Sequence, residues 1–532
     1  MYTAHKDTFA RDHLPPRESW PELIFELPEL QYPERLNCAN VLLDDAVAEG
    51  HGERIALRSA AGDWTYRELL ERSNQIAHVL VEDLGLVPGN RVLLRGANTP
   101  MLVACWFAVL KAGGIAVTTM PMLRSFELCV IARKARIDHV LCEQRLWADV
   151  ESAARETGLL RHGMRYGGEL EAQAARKPAT FANAPTAAED VSLLAFTSGT
   201  TGNPKATMHF HRDVLAMADV VARHLLGTRP QDVYVGSPPL GFTFGLGALL
   251  VFPLRFRACA GLVETPTPDA LLSAVQSWRA TCLFTAPTAY RAMLGIVDEY
   301  DCSSLRQCVS AGEPLPKATS DSWFEHTGLR IIDGIGATEM IHIFISATGD
   351  AIRAGATGKP LPGYRACILD ERGHVLPPGS SGRLAVKGPT GCRYLADERQ
   401  KSYVQNGWNI TGDTYFMDAD GYFWFQARAD DMIVSAGYNI AGPEVEWALL
   451  AHAAVRECAV VAAPDAERGS IVKAFVVLKP EHAASDALRV ALQDHVKQTI
   501  APYKYPRALV FVDSLPKTPT GKLQRYLLRE QS

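Results

Sequence analysis

Residues 191–205 read VSLLAFTSGTTGNPK. The apolar run predicts a buried strand within 190–196, and the segment behind it, Thr197 to Lys205, predicts a loop at that strand's end. Gly199 and Gly202 permit a tight turn, and the small side chains leave backbone N–H groups free to face an anion. Ser198, Thr200 and Thr201 add hydroxyl donors, and Lys205 can compensate phosphate charge. The segment does not satisfy the GxxxxGK[ST] rule, which disfavours an ordinary P-loop NTPase. A Ser/Thr-rich surface turn carrying one lysine is the alternative at this level.

Working outward, strand-like and helix-like segments alternate. Residues 91–95, 136–142 and 280–284 read as strands, 100–111 as a buried helix, and the turn Ala112, Gly113, Gly114 leads into the strand-like IAVTTM. This βαβ rhythm predicts an α/β fold: parallel-rich sheets layered with helices in a large N-terminal domain, residues 1–429. Near residue 430 the pattern changes to a small α+β unit, 430–532, whose docking on the large domain need not be permanent. Within it, 443–454 and 488–500 read as helices, 457–463, 471–478 and 508–512 as strands, and 516–522 as a polar loop.

The chain has 532 residues, more than one core usually serves. Its 54 Lys and Arg against 59 Asp and Glu leave a net charge of −5, which gives no reason to expect a nucleic acid partner. The longest uncharged stretch, 233–254, is interrupted by Pro238, Pro239 and Pro253 and by Gly241, Gly245 and Gly247. It is expected to be a buried strand, loop and helix rather than a membrane span. Eleven cysteines without a CxxC pair suit buried thiols in a reducing compartment. With no apolar segment at MYTAHKDTFARDHLPP, a cytoplasmic location is expected. His209 and His211 are read as packing at a helix start rather than as a metal pair. The oligomeric state stays open, with a homodimer among the options.

TSGTTGNPK resembles the phosphate loop of the adenylate-forming enzymes: acyl-CoA synthetases, peptide-synthetase adenylation domains and firefly luciferase. Further motifs of that family follow in order: Gly336–Ala337–Thr338–Glu339, then WNITGD ending at Asp413, then RADD from Arg428, then PKTPTGK ending at Lys522. The resemblance spans residues 30 to 530. It implies an enzyme that binds ATP with Mg²⁺, converts a carboxylate to an acyl-adenylate, and transfers the acyl group to the thiol of coenzyme A after its C-terminal domain rotates.

Such chemistry must bring an anionic acid against anionic ATP, so catalysis is mostly positioning and charge compensation. By resemblance Lys522 is the adenylation lysine, Thr338 donates to phosphate, and Glu339 offers an oxygen to Mg²⁺. Glu339 as the first-turn acid of a helix through MIHIFIS is the structural alternative. Asp413 matches the residue that accepts the ribose hydroxyls, with Arg428 as its neighbouring cation. Ala311, Gly312, Glu313 and Pro314, with Asp333, Gly334, Ile335 and Gly336, match the backbone of an adenine pocket. Asp430 falls at the family's hinge. Gly437 matches a glycine lining the pantetheine tunnel, a tight turn between strand and helix being its alternative explanation. The family's Gly–Glu is here Gly382–Arg383, a departure that bears on local packing.

Within the family, the segments around Phe244 and around Thr338 to Phe344 look most like benzoate- and 2-aminobenzoate-CoA ligases. That match assigns Phe242, Phe244, His342 and Ile343 to a small aromatic carboxylic acid. An aromatic acid:CoA ligase is the first reading. A stand-alone adenylation enzyme loading a separate carrier protein is the second. A non-catalytic nucleotide-binding regulator is the third, disfavoured because Lys522, Glu339, Asp413 and Arg428 are all present.

Overall fold

The computed structural model describes residues 2–197, 204–313, 315–428, 432–516 and 523–530. Expectations at Ser198, Gly199, Thr200, Thr201, Gly202, Pro314, Asp430 and Lys522 lie outside these residues, as does the side chain of Arg428.

The opening run folds as the strand Val191–Thr197. It lies in a six-stranded sheet ordered His162–Tyr166, His139–Glu143, Arg91–Arg95, Ile115–Thr119, Val191–Thr197, Lys205–Phe210, antiparallel only at its last pair. The helix Pro100–Lys111 is buried almost all round, as its unbroken apolar sequence requires of a helix between layers. Thr99 caps it by accepting from the Leu102 N–H at 3.3 Å, and proline suits its first position. The buried Lys111 ammonium at its end is neutralised by both oxygens of Asp44 at 2.6 Å. Each apolar side chain so enclosed contributes roughly 1.5–3 kcal/mol, which is how a glycine-rich chain holds its layers together.

A second sheet has nine strands. Its six central strands, Ile331–Gly336, Gln307–Ser310, Cys282–Thr285, Val233–Gly236, Cys259–Leu262 and Ile55–Ser59, are parallel. Loops that leave the carboxyl ends of such strands form the usual ligand crevice of α/β proteins, and four of these ends serve the site below. An antiparallel five-stranded sheet follows, containing Trp408–Met417 paired with Phe423–Arg428.

Beyond it come the hairpin Met432–Ser435 and Tyr438–Ala441, the helix Gly442–Leu450, and a sheet of Val455–Asp465, Gly469–Leu478 and Ala508–Phe511 carrying the helix Asp486–Thr499. Val445, Leu449, Val460, Val472, Val476, Leu492 and Val496 give these elements a core of their own. The expected helix 443–454 stops at Leu450. The stretch 233–254 folds as a strand, a proline loop and short helical turns. Among the described residues no helix is long and apolar enough to cross a membrane. All eleven cysteines are free, and all but Cys302 are buried.

Candidate active site

The strand Ile331–Gly336 runs into a single helical turn, Thr338–Met340, and the chain then doubles back as the strand Ile343–Ser346. The helix considered for MIHIFIS therefore does not form: its β-branched residues pair as a strand instead. Between turn and strand, Ile341 takes φ 66°, ψ −31°, a conformation rare for a β-branched residue. This reversal sets Glu339 on one side and His342 on the other.

Glu339 is buried with its carboxylate engaged. The Tyr394 hydroxyl donates to Glu339 Oε1, and Lys205 Nζ donates to Tyr394 Oη at 3.1 Å while lying 3.7 Å from the same Oε1. Burial and the Glu339 charge push the Tyr394 hydroxyl well above its ordinary range, so it remains a donor. Tyr394 is itself fixed: its N–H donates to Gln400 Oε1 at 2.9 Å, and the chain there bridges to Thr207. His209 Nε2 donates to the Thr338 carbonyl at 2.8 Å, and burial pushes His209 down to about 4, which keeps it neutral. His211 opens the helix His211–Met217 and receives the Cys38 N–H on Nδ1 at 3.2 Å. Among the described residues Glu339 Oε2 takes no hydrogen bond, so a hard oxygen donor remains available for a divalent cation, and the residues present fit Mg²⁺.

Next to this turn a cavity of about 520 Å³ is lined by Gly312, Glu313, Asp333, Gly334, Ile335, Gly336 and Asp413. Seven residues assigned from three separate segments thus meet around one space, with Ala311 adjoining Gly312. Strand register sets Asp413 opposite Arg428. Burial pushes the Asp333 carboxyl up to about 7, against the pull of the Gly334 N–H and the Ser310 hydroxyl. Glu313 does more than lend its backbone. Its Oε1 accepts from the Thr288 N–H at 2.8 Å, and its Oε2 accepts from the Gly437 N–H at 3.0 Å.

On the other side of the turn, His342 Nε2 donates to the Phe244 carbonyl at 3.3 Å. Burial pushes this imidazole down to about 3, so it is neutral, and its Nδ1 has no partner among the described residues. The rings of Phe252 and Phe244 lie 4.5 and 5.5 Å from it. A Cβ at Gly247 would fall 2.5 Å from His342 Cδ2, so glycine there makes room for the ring. The loop bearing Phe242 and Phe244 is pinned by Asn98, which donates to the Pro238 carbonyl at 3.1 Å and accepts from the Leu240 N–H at 2.9 Å. Ile343 is buried against Gly334, which lines that cavity.

Gly437 lies in a two-residue hairpin turn, with Ala436 at φ 49° and Gly437 at φ 80°, both positive as a type I′ turn requires. The tight turn expected between strand and helix is therefore between two strands. A Cβ on Gly437 would stand 3.1 Å from that of Ala286. Its neighbour Tyr438 faces Phe242 at 6.3 Å. Arg383 donates to the Asp370 carbonyl at 2.8 Å, closing a surface turn, so the base at this position has a packing role of its own. Sequence reasoning missed Tyr394, Asn98, Gly247 and the Glu313 side chain. Each works through a partner dozens to hundreds of residues away, and only the Phe244 and Gly247 neighbourhood carried a local signal.

The AMP-binding enzyme family matches residues 44–394, and the AMP-binding enzyme C-terminal domain matches residues 444–522. The chain is 37% identical over 520 residues to a benzoate–CoA ligase of Thauera aromatica, covering 94% of this chain and 97% of that one. Among solved structures it resembles the anthranilate CoA ligase AuaEII in complex with anthranoyl-AMP, at 35% identity and TM-score 0.75 over 95% of this chain and 99% of the other. It also resembles the amide bond synthetase McbA from Marinactinospora thermotolerans, at 29% identity and TM-score 0.84 over 93% and 99%. Fold, site and relatives define an AMP-forming acid–thiol ligase, using ATP and coenzyme A. The chain belongs to the AMP-binding enzyme family.

Proposed function

We propose that this ligase activates 2-aminobenzoate first and benzoate second, through an acyl-adenylate that is then captured by coenzyme A. The observation carrying this reading is the neutral His342 ring, enclosed by Phe244 and Phe252, with an Nδ1 that has no partner among the described residues. A planar acid fills a slot between flat walls with little loss of conformational freedom. An acceptor nitrogen left without a bond favours a substrate that brings an N–H.

In the first step a carboxylate oxygen attacks the α-phosphorus of ATP, a new O–P bond forms, and pyrophosphate leaves. The nucleotide occupies the cavity floored by Asp333 to Gly336, with Asp413 and Arg428 on the ribose and Thr197 to Lys205 around the phosphates. Glu339 would hold Mg²⁺, which supplies positive charge to the phosphate oxygens. Tyr394 and Lys205 keep the Glu339 carboxylate aimed, and Lys522 bridges acid and phosphate as charge moves between them. In the second step the sulfur of coenzyme A, losing its proton, attacks the acyl carbon, and AMP leaves. The unit 430–532 turns about Asp430 between the steps, and Gly437, having no side chain, leaves the thiol a way in.

Pyrophosphate release with 2-aminobenzoate, benzoate, 2-hydroxybenzoate, 4-hydroxybenzoate and a medium-chain fatty acid, with and without coenzyme A, tests the reading. The highest kcat/KM is expected for 2-aminobenzoate. A tenfold preference for the fatty acid overturns the aromatic pocket. Benzoate winning overturns only the first-choice substrate, and adenylate formation without transfer to coenzyme A points to a carrier protein.

A further inference from the structure

Glu127, in the first turn of the helix Ser125–Ala135, belongs to the large body of the protein, yet its carboxylate is used by the C-terminal unit. Its Oε2 accepts from the Arg124 N–H at 2.9 Å, which closes the helix start. Its Oε1 accepts from the Ala501 N–H at 2.8 Å and lies 3.0 Å from Lys504 Nζ. The same ammonium is 2.8 Å from Glu444 Oε2. The three side chains are only 4–6% exposed. Beside them Phe126 stacks on Trp447, ring centroids 4.0 Å apart.

A buried cluster of one cation and two carboxylates is a poor source of net stability, since removing three charges from water offsets their attraction. It is, however, sensitive to direction and register. From this one a path of contacts leads into the site. Lys504 follows Tyr503, Tyr503 stacks on Tyr438 at 4.5 Å, and Tyr438 follows Gly437 and faces Phe242. Gly437 in turn donates to Glu313. We infer that Glu127, Lys504 and Glu444 form a charge latch that positions Gly437 and Tyr438 for acyl transfer to the thiol and that opens for adenylation. This rests on the two-step reading above. An apolar seam would hold the two bodies together in every solvent, whereas separated charges regain water, so the latch can release.

The test uses the full chain in single-turnover measurements of each half-reaction: pyrophosphate release from acid and ATP, and thioester formation from supplied acyl-adenylate and coenzyme A. Lys504→Met leaves two carboxylates facing each other. It is expected to slow transfer at least tenfold while adenylation stays within twofold. Glu127→Lys should do the same, and combining it with Lys504→Glu and Glu444→Gln, which restores one cation–carboxylate pair and removes the carboxylate that would otherwise oppose it, should recover transfer at least threefold over either single variant. Amide exchange in 123–131 and 499–505 is expected to rise in both single variants and fall back in the combined variant, a readout that needs no reaction. An equal fall in both half-reactions, transfer unchanged, no recovery in the combined variant, or unaltered amide exchange each overturns the latch. If Lys504→Met does not fold, Glu127→Lys and the combined variant carry the test. A native chain that makes neither adenylate nor thioester overturns the two-step reading instead, and amide exchange then judges the charge cluster alone.

Discussion

Asp333→Asn tests how the floor of the proposed nucleotide cavity handles charge. An acid held up to about 7 in the folded chain against an ordinary 3.8 retains a proton that the unfolded chain has lost. Below pH 4 both states are protonated and the carboxyl costs nothing. Between pH 4 and 7 the folded state binds more protons than the unfolded, so stability falls as pH rises, and above 7 the full penalty is present. At about 1.4 kcal/mol per pH unit, the difference sets a ceiling of roughly 4 kcal/mol. Because the residue borders a cavity open to water, screening brings the expected figure to about 1–2 kcal/mol. Asparagine keeps the shape and removes the titration. Urea unfolding of ligand-free protein at pH 5 and pH 8 should therefore show Asp333→Asn gaining about 1–2 kcal/mol at pH 8 relative to its effect at pH 5. The comparison cancels changes in hydrogen bonding that do not depend on pH. An effect equal at the two pH values, or a relative loss at pH 8, refutes the reasoning.

Tyr394→Phe removes the hydroxyl that aims Glu339 and should lower kcat/KM for adenylation about tenfold, the worth of roughly 1.4 kcal/mol for a hydrogen bond to a charged group, while raising the Mg²⁺ concentration needed; pyrophosphate exchange across a Mg²⁺ series checks it, and an unchanged series removes Tyr394 from the site. Gly247→Ala drives a methyl into His342 and should raise KM for the aromatic acid several-fold more than KM for ATP, an outcome that equal changes in both constants would contradict. Lys522→Ala should abolish most adenylation yet spare thioester formation from supplied acyl-adenylate; equal losses in a folded variant overturn its two-state role. Gly437→Trp should retain adenylation and lose transfer, and normal transfer would place the thiol's path elsewhere.

How much was legible depended on whether a feature is contiguous. The strand Val191–Thr197, the helix Pro100–Lys111 and the βαβ order follow from unbroken apolar runs, whose burial is decided locally by period and length. The proposed nucleotide cavity was legible because the wall residues read from sequence lie in short glycine-bearing segments, two of them at strand ends and Asp413 inside the strand Trp408–Met417. Glu339 was only half legible. MIHIFIS scans equally as helix or strand, and the pairing with Ile331–Gly336 that settles it is a tertiary fact. Tyr394 was invisible: nothing within GCRYLADERQ announces that its hydroxyl will meet a carboxylate 55 positions earlier in the chain. Lys504 is a stronger case. A lone lysine within IAPYKYPRALVF gives no sign of a buried partner, and that partner, Glu127, is 377 positions away.

Around the Glu339 turn, the described polar groups bring little positive charge that is not already engaged. Burial holds His209 and His342 neutral, at about 4 and about 3, and the Lys205 ammonium already faces the Glu339 carboxylate. A site in which two anions must meet cannot work with that inventory alone. In the proposed mechanism the rest of the compensation comes from a divalent cation on Glu339 and from Lys522. A cation delivered on a movable unit has a consequence that a fixed one would lack: it can leave. Once the carboxylate has become a neutral acyl centre bonded to phosphate, positive charge beside it has done its task, and the incoming thiolate needs the space. Gly437 donates to Glu313 on the large body, and Glu127 of that body accepts from Ala501, so the C-terminal unit is held at two places. On the proposed reading, separating the two half-reactions lets one space serve a cation first and a thiol second, and movement of the small unit would be the means.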